Sequence, residues 1–199
     1  MSPRPGNTDE HRQRIQERRD ALRQTLVQIL PPRQPFVWEV GSGHGHFLTA
    51  FAQTEPGRTF IGVDIAKDRV ARGQRKQTRA RLAHLHFIQA DAEDFLEALP
   101  PANLIDATYI LFPDPWPKRR HEKNRLLQHA FLTQLASKSA PNARLHFRTD
   151  HAPYFRDAHT LVAQHPAWRL LAPEAWGFDT ETIFQQKAPS FESLVAERT

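Results

Sequence analysis

Four places in the 199-residue sequence hold residue types and spacings that could do chemistry. The first is Glu39-Val40-Gly41-Ser42-Gly43-His44-Gly45. Alternating glycines let a backbone turn tightly and approach a ligand with no side chain in the way. A dinucleotide-binding turn needs G-x-G-x-x-G, and residue 46 is His, so that register fails. The second is Asp64, which ends Phe60-Ile61-Gly62-Val63-Asp64 about 20 residues beyond the turn, a placement that suits paired hydrogen bonds to ribose hydroxyls. The third is Asp91 in Gln89-Ala90-Asp91-Ala92, a carboxylate just after a strand that could accept from a ligand's amine. Either aspartate could equally cap the helix that follows it, and Glu93 and Asp94 suit the first turn of such a helix. The fourth is Leu111-Phe-Pro-Asp114-Pro-Trp-Pro117-Lys-Arg-Arg-His121. Its three prolines fix φ and stiffen the loop, holding a carboxylate and an indole in place. A fixed carboxylate can stabilise positive charge that develops during a reaction, or orient a base.

Elements that alternate along the chain must position these residues. Pattern and punctuation predict a short head over 1–7, a helix over about 8–30 and a strand at Phe36–Val40. A helix over 45–54, a strand at Thr59–Val63 and a basic helix over 67–81 follow. Next come a strand at Leu85–Ile88, a short helix near 93–98 and a strand at Leu104–Leu111. Beyond the proline loop the pattern predicts a helix over 124–137, a strand at Arg144–Arg148 and a helix over Pro153–Gln164. Two late strands, Trp168–Leu171 and Thr182–Gln186, complete the reading. Such alternation implies an α/β fold, a doubly wound and mostly parallel sheet with helices on both faces. Ligands in such folds lie beyond the carboxyl ends of the strands, and each candidate motif falls just after one.

Composition narrows the class. The chain carries 27 Lys and Arg against 22 Asp and Glu, a net charge of +5, which favours an anionic partner such as nucleic acid. It has no cysteine, which excludes disulfides, thiolate catalysis and Cys-based zinc sites. No apolar run resembles a signal peptide or a membrane span, so the expected location is cytoplasmic. The charge is clustered. Arg72, Arg75, Lys76 and Arg79 share one helical face, and Lys118, Arg119, Arg120, Lys123 and Arg125 adjoin the proline loop. A third cluster, Arg12, Arg14, Arg18 and Arg19, lies on the N-terminal helix. The pairs His44/His46 and His84/His86 lack a third ligand group at metal-site spacing, so no metal is expected.

Residues 111–121 match, nearly residue for residue, the F-P-D-P-W-P-K-[KR]-R-H hallmark of the bacterial tRNA (guanine-N7)-methyltransferases, and E-x-G-x-G-x-G resembles motif I of class I methyltransferases. Thr149-Asp150 and Thr182-Ile183-Phe184-Gln185 fit the same family in order, so the likeness runs over residues 36–187. The resemblance implies a seven-stranded Rossmann-like domain over 31–199, preceded by the head and basic helix of 1–30. It implies S-adenosylmethionine as cofactor, S-adenosylhomocysteine as product and tRNA as substrate, with N7 of the variable-loop guanosine 46 as the methyl acceptor. On this pattern Glu39, Gly41, Gly43, Gly45, Asp64, Asp91 and Asp114 contact the cofactor, and Asp114 also lies at the catalytic centre. Lys118, Arg120, His121, Lys123, Arg125, Asp150, Thr182, Phe184 and Gln185 contact the RNA. Two positions depart from the pattern: Asp64 and Gln185 each stand where the family has Glu. At 185 the exchange trades an acceptor-only carboxylate for one carbonyl and two donors.

The chemistry agrees with that resemblance. Guanine N7 has a lone pair and no proton, so its methylation needs no general base and can rest on positioning. Two rivals stand beside it. D-P-W-P distantly resembles the D-P-P-Y loop of amino-group methyltransferases, and a non-catalytic RNA-binding protein could keep the same fold. Monomer and homodimer are both open.

Overall fold

Strand β1 (Phe36–Val40) is buried at every position, and so is β2 (Thr59–Asp64). Apolar runs buried on both faces belong to the middle of a parallel sheet covered by helices on either side. The computed structural model describes residues 6–180, 188 and 190–199. Helix α1 (Gly6–Ile29) precedes β1, α2 (His46–Thr54) links β1 to β2, and α3 (Lys67–Ala80) leads to β3 (Leu85–Gln89). Helix α4 (Ala92–Ala98) then leads to β4 (Ile105–Leu111). After a 3₁₀ turn at Arg119–Asn124 come α5 (His129–Lys138), β5 (Ser139–Thr149), α6 (Ala152–Gln164), β6 (Trp168–Leu170) and β7 (Glu192–Arg198).

The seven strands lie in the order β3-β2-β1-β4-β5-β7-β6. The β1–β2, β1–β4, β2–β3 and β4–β5 pairs are parallel, whereas β7 runs antiparallel to β5 and β6. This is the doubly wound, mostly parallel sheet that the alternation implies. Strand order reverses between β1 and β4, and that reversal is where such sheets open a crevice for ligands.

Strand residues alternate between two cores. On one face Trp38 stacks on Phe95 of α4, with ring centroids 4.8 Å apart, beside Phe131, Phe147 and Tyr154. On the other, Phe47 and Phe51 of α2 pack against Phe60, Phe87 and Tyr109, and Phe51 stacks on Phe178 at 4.3 Å. Helix α1 belongs to the first core through Leu26, joined by Leu30 just beyond its end; the two are 0% and 3% exposed. Burying a leucine contributes about 1.5–3 kcal/mol. Arg19 donates to Asp94 at 2.7 Å, Arg18 lies 3.7 Å from the same carboxylate, and Arg23 donates to the Glu97 carbonyl at 2.9 Å. Thus α1 docks on α4 through Arg18 and Arg19, which the sequence groups in a basic cluster, and through Arg23, which it does not.

Three expectations need correction. The helix expected over 124–137 begins only at His129, because Arg119–Asn124 forms the 3₁₀ turn and Gln128 is the extended residue before α5. Strand β5 begins at Ser139, five residues earlier than its alternating core, and its pairing with β4 shifts register between Ile105 and Ala107. The last strand of the sheet is Glu192–Arg198, which the pattern did not mark. The strand expected at Thr182–Gln186 lies outside the described residues. Helix α1 starts at Gly6, inside the expected head, whose residues 1–5 also lie outside them.

Candidate functional site

The five parallel strands end in a row, and the candidate residues leave from that edge. Gly41–Gly45 follows β1, Asp64 ends β2, Asp91 follows β3, the Asp114 loop follows β4 and Asp150 follows β5. Since β1 and β4 are the strands at the reversal of order, the glycine turn and the Asp114 loop flank the same crevice.

The glycine turn is closed by its own backbone and by Asp64. Ser42 N–H donates to the Val63 carbonyl at 2.9 Å, and Gly45 N–H to the Ser42 carbonyl at 2.8 Å. The Asp64 carboxylate accepts from Gly43 N–H at 2.9 Å and from Ala66 N–H at 2.8 Å, tying the turn to the end of β2. Gly41 has φ +68°, and a Cβ built there would meet nothing within 4 Å. Open space therefore lies on the side from which a ligand would approach. Gly45 is different: its φ is +72°, and a Cβ there would sit 2.4 Å from the Phe87 ring and 3.1 Å from the Gly73 Cα. Its lack of a side chain serves packing between α2, α3 and β3.

Glu39, on β1 beneath the turn, is 4% exposed. Burial first and the neighbouring Asp64 charge second hold its carboxyl well above the usual 4.5, against the opposing pull of one backbone donor, Leu48 N–H. Its Oε2 and the buried Ser42 Oγ have no hydrogen-bond partner among the described residues. Buried oxygens left this way mark a place where a polar ligand would complete the bonding. Asp91 caps α4, its Oδ1 accepting from Glu93 N–H at 2.8 Å, yet the residue stays exposed. The capping reading of Asp91 is therefore observed, and lone pairs remain for another donor.

The Asp114 loop is rigid for more reasons than its prolines. Phe112 and Trp116 have φ of +51° and +44°, conformations that cost a bulky residue about 1–3 kcal/mol each. Phe112 N–H donates to the Arg148 carbonyl at 2.8 Å, and its ring meets Phe191 edge-on at 6.1 Å. Trp116 meets the His121 ring edge-on at 5.9 Å and is 36% exposed. Asp114 between them is exposed and makes no hydrogen bond or ion pair to another described residue.

The candidate RNA-contacting residues divide. Lys118, Arg120 and Lys123 are exposed, His121 is half-buried, and Asp150 is exposed at the end of β5. Arg125 departs from the expectation. It is 5% exposed, its Nε donates to the Pro115 carbonyl at 2.9 Å, and its Nη1 pairs with Asp157 at 2.5 Å. A guanidinium held this way is turned inward and has no free fork for a phosphate. Thr182, Phe184 and Gln185 lie outside the described residues. On α3, Arg72, Arg75 and Arg79 are exposed, and partial burial followed by these like charges pushes the Lys76 ammonium down. His44 and His46 are lowered first by partial desolvation and then by that same basic face. Among the described residues no group of three His, Asp or Glu is placed to hold a metal ion. No helix among them is long and apolar enough to cross a membrane.

Sequence reasoning missed Arg148. It is 4% exposed, lies between Trp176 and Phe191 at 4.1 and 4.7 Å, and donates to both Asp179 oxygens at 2.9 and 3.2 Å. Its Nε also donates to Ser193 at 2.8 Å. It joins three segments distant in sequence, and nothing local to residues 147–150 signals this.

Comparison with known proteins places this geometry. Residues 33–197 match the family model Methyltransf_4, described as "Putative methyltransferase". The chain is 36% identical over 174 residues to the tRNA (guanine-N(7)-)-methyltransferase of Caulobacter sp. (strain K31), covering 81% of this chain and 76% of that protein. It is 38% identical over 132 residues to the enzyme of the same name from Lacticaseibacillus casei (strain BL23), covering 66% of this chain and 60% of that one. The Chromohalobacter salexigens relative is 32% identical over 151 residues, and this chain spans 61% of it. The chain therefore spans about three fifths of the length of several relatives. Among solved structures, the aminoglycoside resistance methyltransferase NpmB1 superposes with a TM-score of 0.60 at 18% identity, covering 89% of this chain and 93% of that one. SMU.1697c from Streptococcus mutans, in complex with SAH, superposes at 0.54 and 11% identity over the whole of both chains. Those two likenesses concern the fold. With identity above 30% across most of the Caulobacter enzyme and a family model spanning the sheet, the chain belongs to the tRNA (guanine-N(7)-)-methyltransferase family.

Proposed function

We propose that this chain transfers a methyl group from S-adenosylmethionine to N7 of a guanosine in tRNA, releasing S-adenosylhomocysteine. The observation that carries the reading is the placement of the rigid, exposed Asp114 beside the glycine turn, on the two strands where sheet order reverses. When bound, the cofactor supplies an electrophilic methyl group on a cationic sulfonium. The unpartnered Glu39 Oε2 and Ser42 Oγ, and the open side of Gly41, fit a ligand with a positive, hydrogen-bonding end. Asp64 and Asp91 each spend lone pairs on backbone amides and retain others for hydroxyl or amine donors. Asp114 faces the charge that arrives on the base as N7 becomes quaternary, and lowers its energy by fixed opposite charge. No residue has to remove a proton, because N7 already presents its lone pair. Lys118, Arg120 and Lys123 hold tRNA phosphates beside the loop, and Asp150 with the Thr182–Gln185 segment reads the guanine.

The test is incubation with radiolabelled cofactor and unmodified tRNA, followed by nucleoside analysis. Label in 7-methylguanosine is the expected result. Label in an N-methylated amino group would move the enzyme to the amino-group class. No label, together with no calorimetric heat on titration with the cofactor, would leave a non-catalytic RNA-binding protein.

A further inference from the structure

We propose that Arg125 is a positioning residue for methyl transfer, setting the Asp114 loop from behind and making no contact with RNA; this rests on the methyltransferase reading above. The side chain spans two structural units. Its Nε holds the carbonyl of Pro115, the residue between Asp114 and the left-handed Trp116, at 2.9 Å. Its Nη1 holds Asp157 on α6 at 2.5 Å, and its guanidinium lies 4.9 Å over the Tyr154 ring on the same helix. Tyr154 is itself fixed, its hydroxyl accepting from Leu127 N–H at 3.1 Å. Burial pushes the Tyr154 phenol up to about 12, so it stays neutral and faces the guanidinium as an uncharged ring. The path from α6 to Asp114 thus runs through one planar group with two donors aimed in different directions. Pro115 has no N–H of its own, so its carbonyl is the one backbone hydrogen-bonding group it offers. Trp116 stores strain next to that point, and releasing the carbonyl would let the loop relax and carry Asp114 with it.

A lysine keeps the charge but offers no planar fork, so it cannot hold Pro115 and Asp157 in the same geometry. Arg125→Lys is expected to lower kcat about 10- to 100-fold, as sub-ångström to ångström misplacement does. The KM for tRNA and the slope of log affinity against log salt should stay as in the wild type. In Arg125→Gln, which removes the charge, the slope should again match the wild type, and a fall of about one unit would place Arg125 on a phosphate and overturn the proposal. The second readout is independent of turnover: ¹⁹F NMR of protein labelled with 5-fluorotryptophan, with the Trp116 resonance assigned through Trp116→Phe. That resonance should shift or broaden in Arg125→Lys while those of Trp38, Trp168 and Trp176 stay in place. Asp157→Ala, at a side chain 62% exposed, removes the far anchor without opening the core and should move the same resonance by less; Asp157→Asn, which keeps one acceptor, should move it less still. If Arg125→Lys does not fold, Asp157→Ala decides. An unmoved Trp116 resonance in the folded variants would sink the tether even if the wild type makes 7-methylguanosine. Conversely, a moved resonance with no methyl transfer by the wild type would keep the tether and reject the activity.

Discussion

Asp114 sits between two prolines and within two residues of two positive-φ aromatics, so the backbone that carries its carboxylate is constrained on both sides. A group used only to stabilise charge during transfer contributes to the transition state and little to the ground state. Asp114→Ala should therefore lower turnover by about 10²- to 10³-fold with tRNA affinity nearly unchanged, measured by single-turnover methylation and filter binding. Equal losses in both would make Asp114 a binding residue. Glu39 gives a prediction of another kind. Its carboxyl is held above 4.5 chiefly by burial, so the folded protein keeps a proton that the unfolded chain loses as pH rises. Its contribution to stability is full below that value and is lost as pH climbs toward the raised folded pKa. Glu39→Gln removes this dependence, so the ligand-free variant should gain stability relative to the wild type as pH rises from 4.5 to 8. Parallel unfolding curves across that range would mean Glu39 is already ionised in the folded protein.

At the scale of elements, the site depends on how closely α2, α3 and β3 approach. Phe87 of β3 fills the space that side chains at Gly45 and Gly73 would need, which brings the start of α2 and the body of α3 against the strand. Gly45→Ala must place a methyl group 2.4 Å from that ring and hold an L-residue at φ +72°. The expected destabilisation is about 2–4 kcal/mol, the sum of a left-handed alanine and an overpacked contact. Gly41→Ala faces open space and bears only the backbone cost, about 1 kcal/mol. Urea unfolding of both variants checks the contrast. Similar destabilisation in the two would mean that Phe87 gives way, and that the third glycine serves the turn alone.

Over the whole molecule the basic surface is sorted by what its charges already hold. Arg18, Arg19 and Arg23 attach α1 to α4, Arg125 faces inward, and Arg148 is enclosed by two aromatic rings. Lys118, Arg120 and Lys123 remain exposed beside Asp114, with no acid paired to them among the described residues. Replacing these three with Ala should weaken tRNA binding and reduce its log–log salt slope by about 0.7–0.9 for each phosphate no longer neutralised. Titrations at several salt concentrations measure this, and an unchanged slope would remove the three from the interface.

The order of strands and helices through β6 was legible in the amino-acid sequence, and so was the position of each candidate residue from Gly41 to Asp150 just after a strand. Both follow from local rules: apolar runs and period mark strands and helices, and a sharp turn demands glycine or proline wherever the chain ends up. The Asp64 and Asp91 motifs were legible for the same reason, and so was the reading of Asp91 as a cap, which rests on a bond between residues two apart; Asp64 does not cap α3, which follows Ala66, and bonds the Gly43 and Ala66 amides instead. Which arginines are free was settled only by the folded arrangement. Arg120 and Arg125 look alike in sequence, but α6 supplies Asp157 and Tyr154 to one and nothing to the other. The fold likewise settled that Glu192–Arg198 pairs between β5 and β6, a position set by hydrogen bonds to strands far away in sequence. Charge and hydrogen-bonding capacity are properties of a residue type, but the partner that consumes them is chosen by packing.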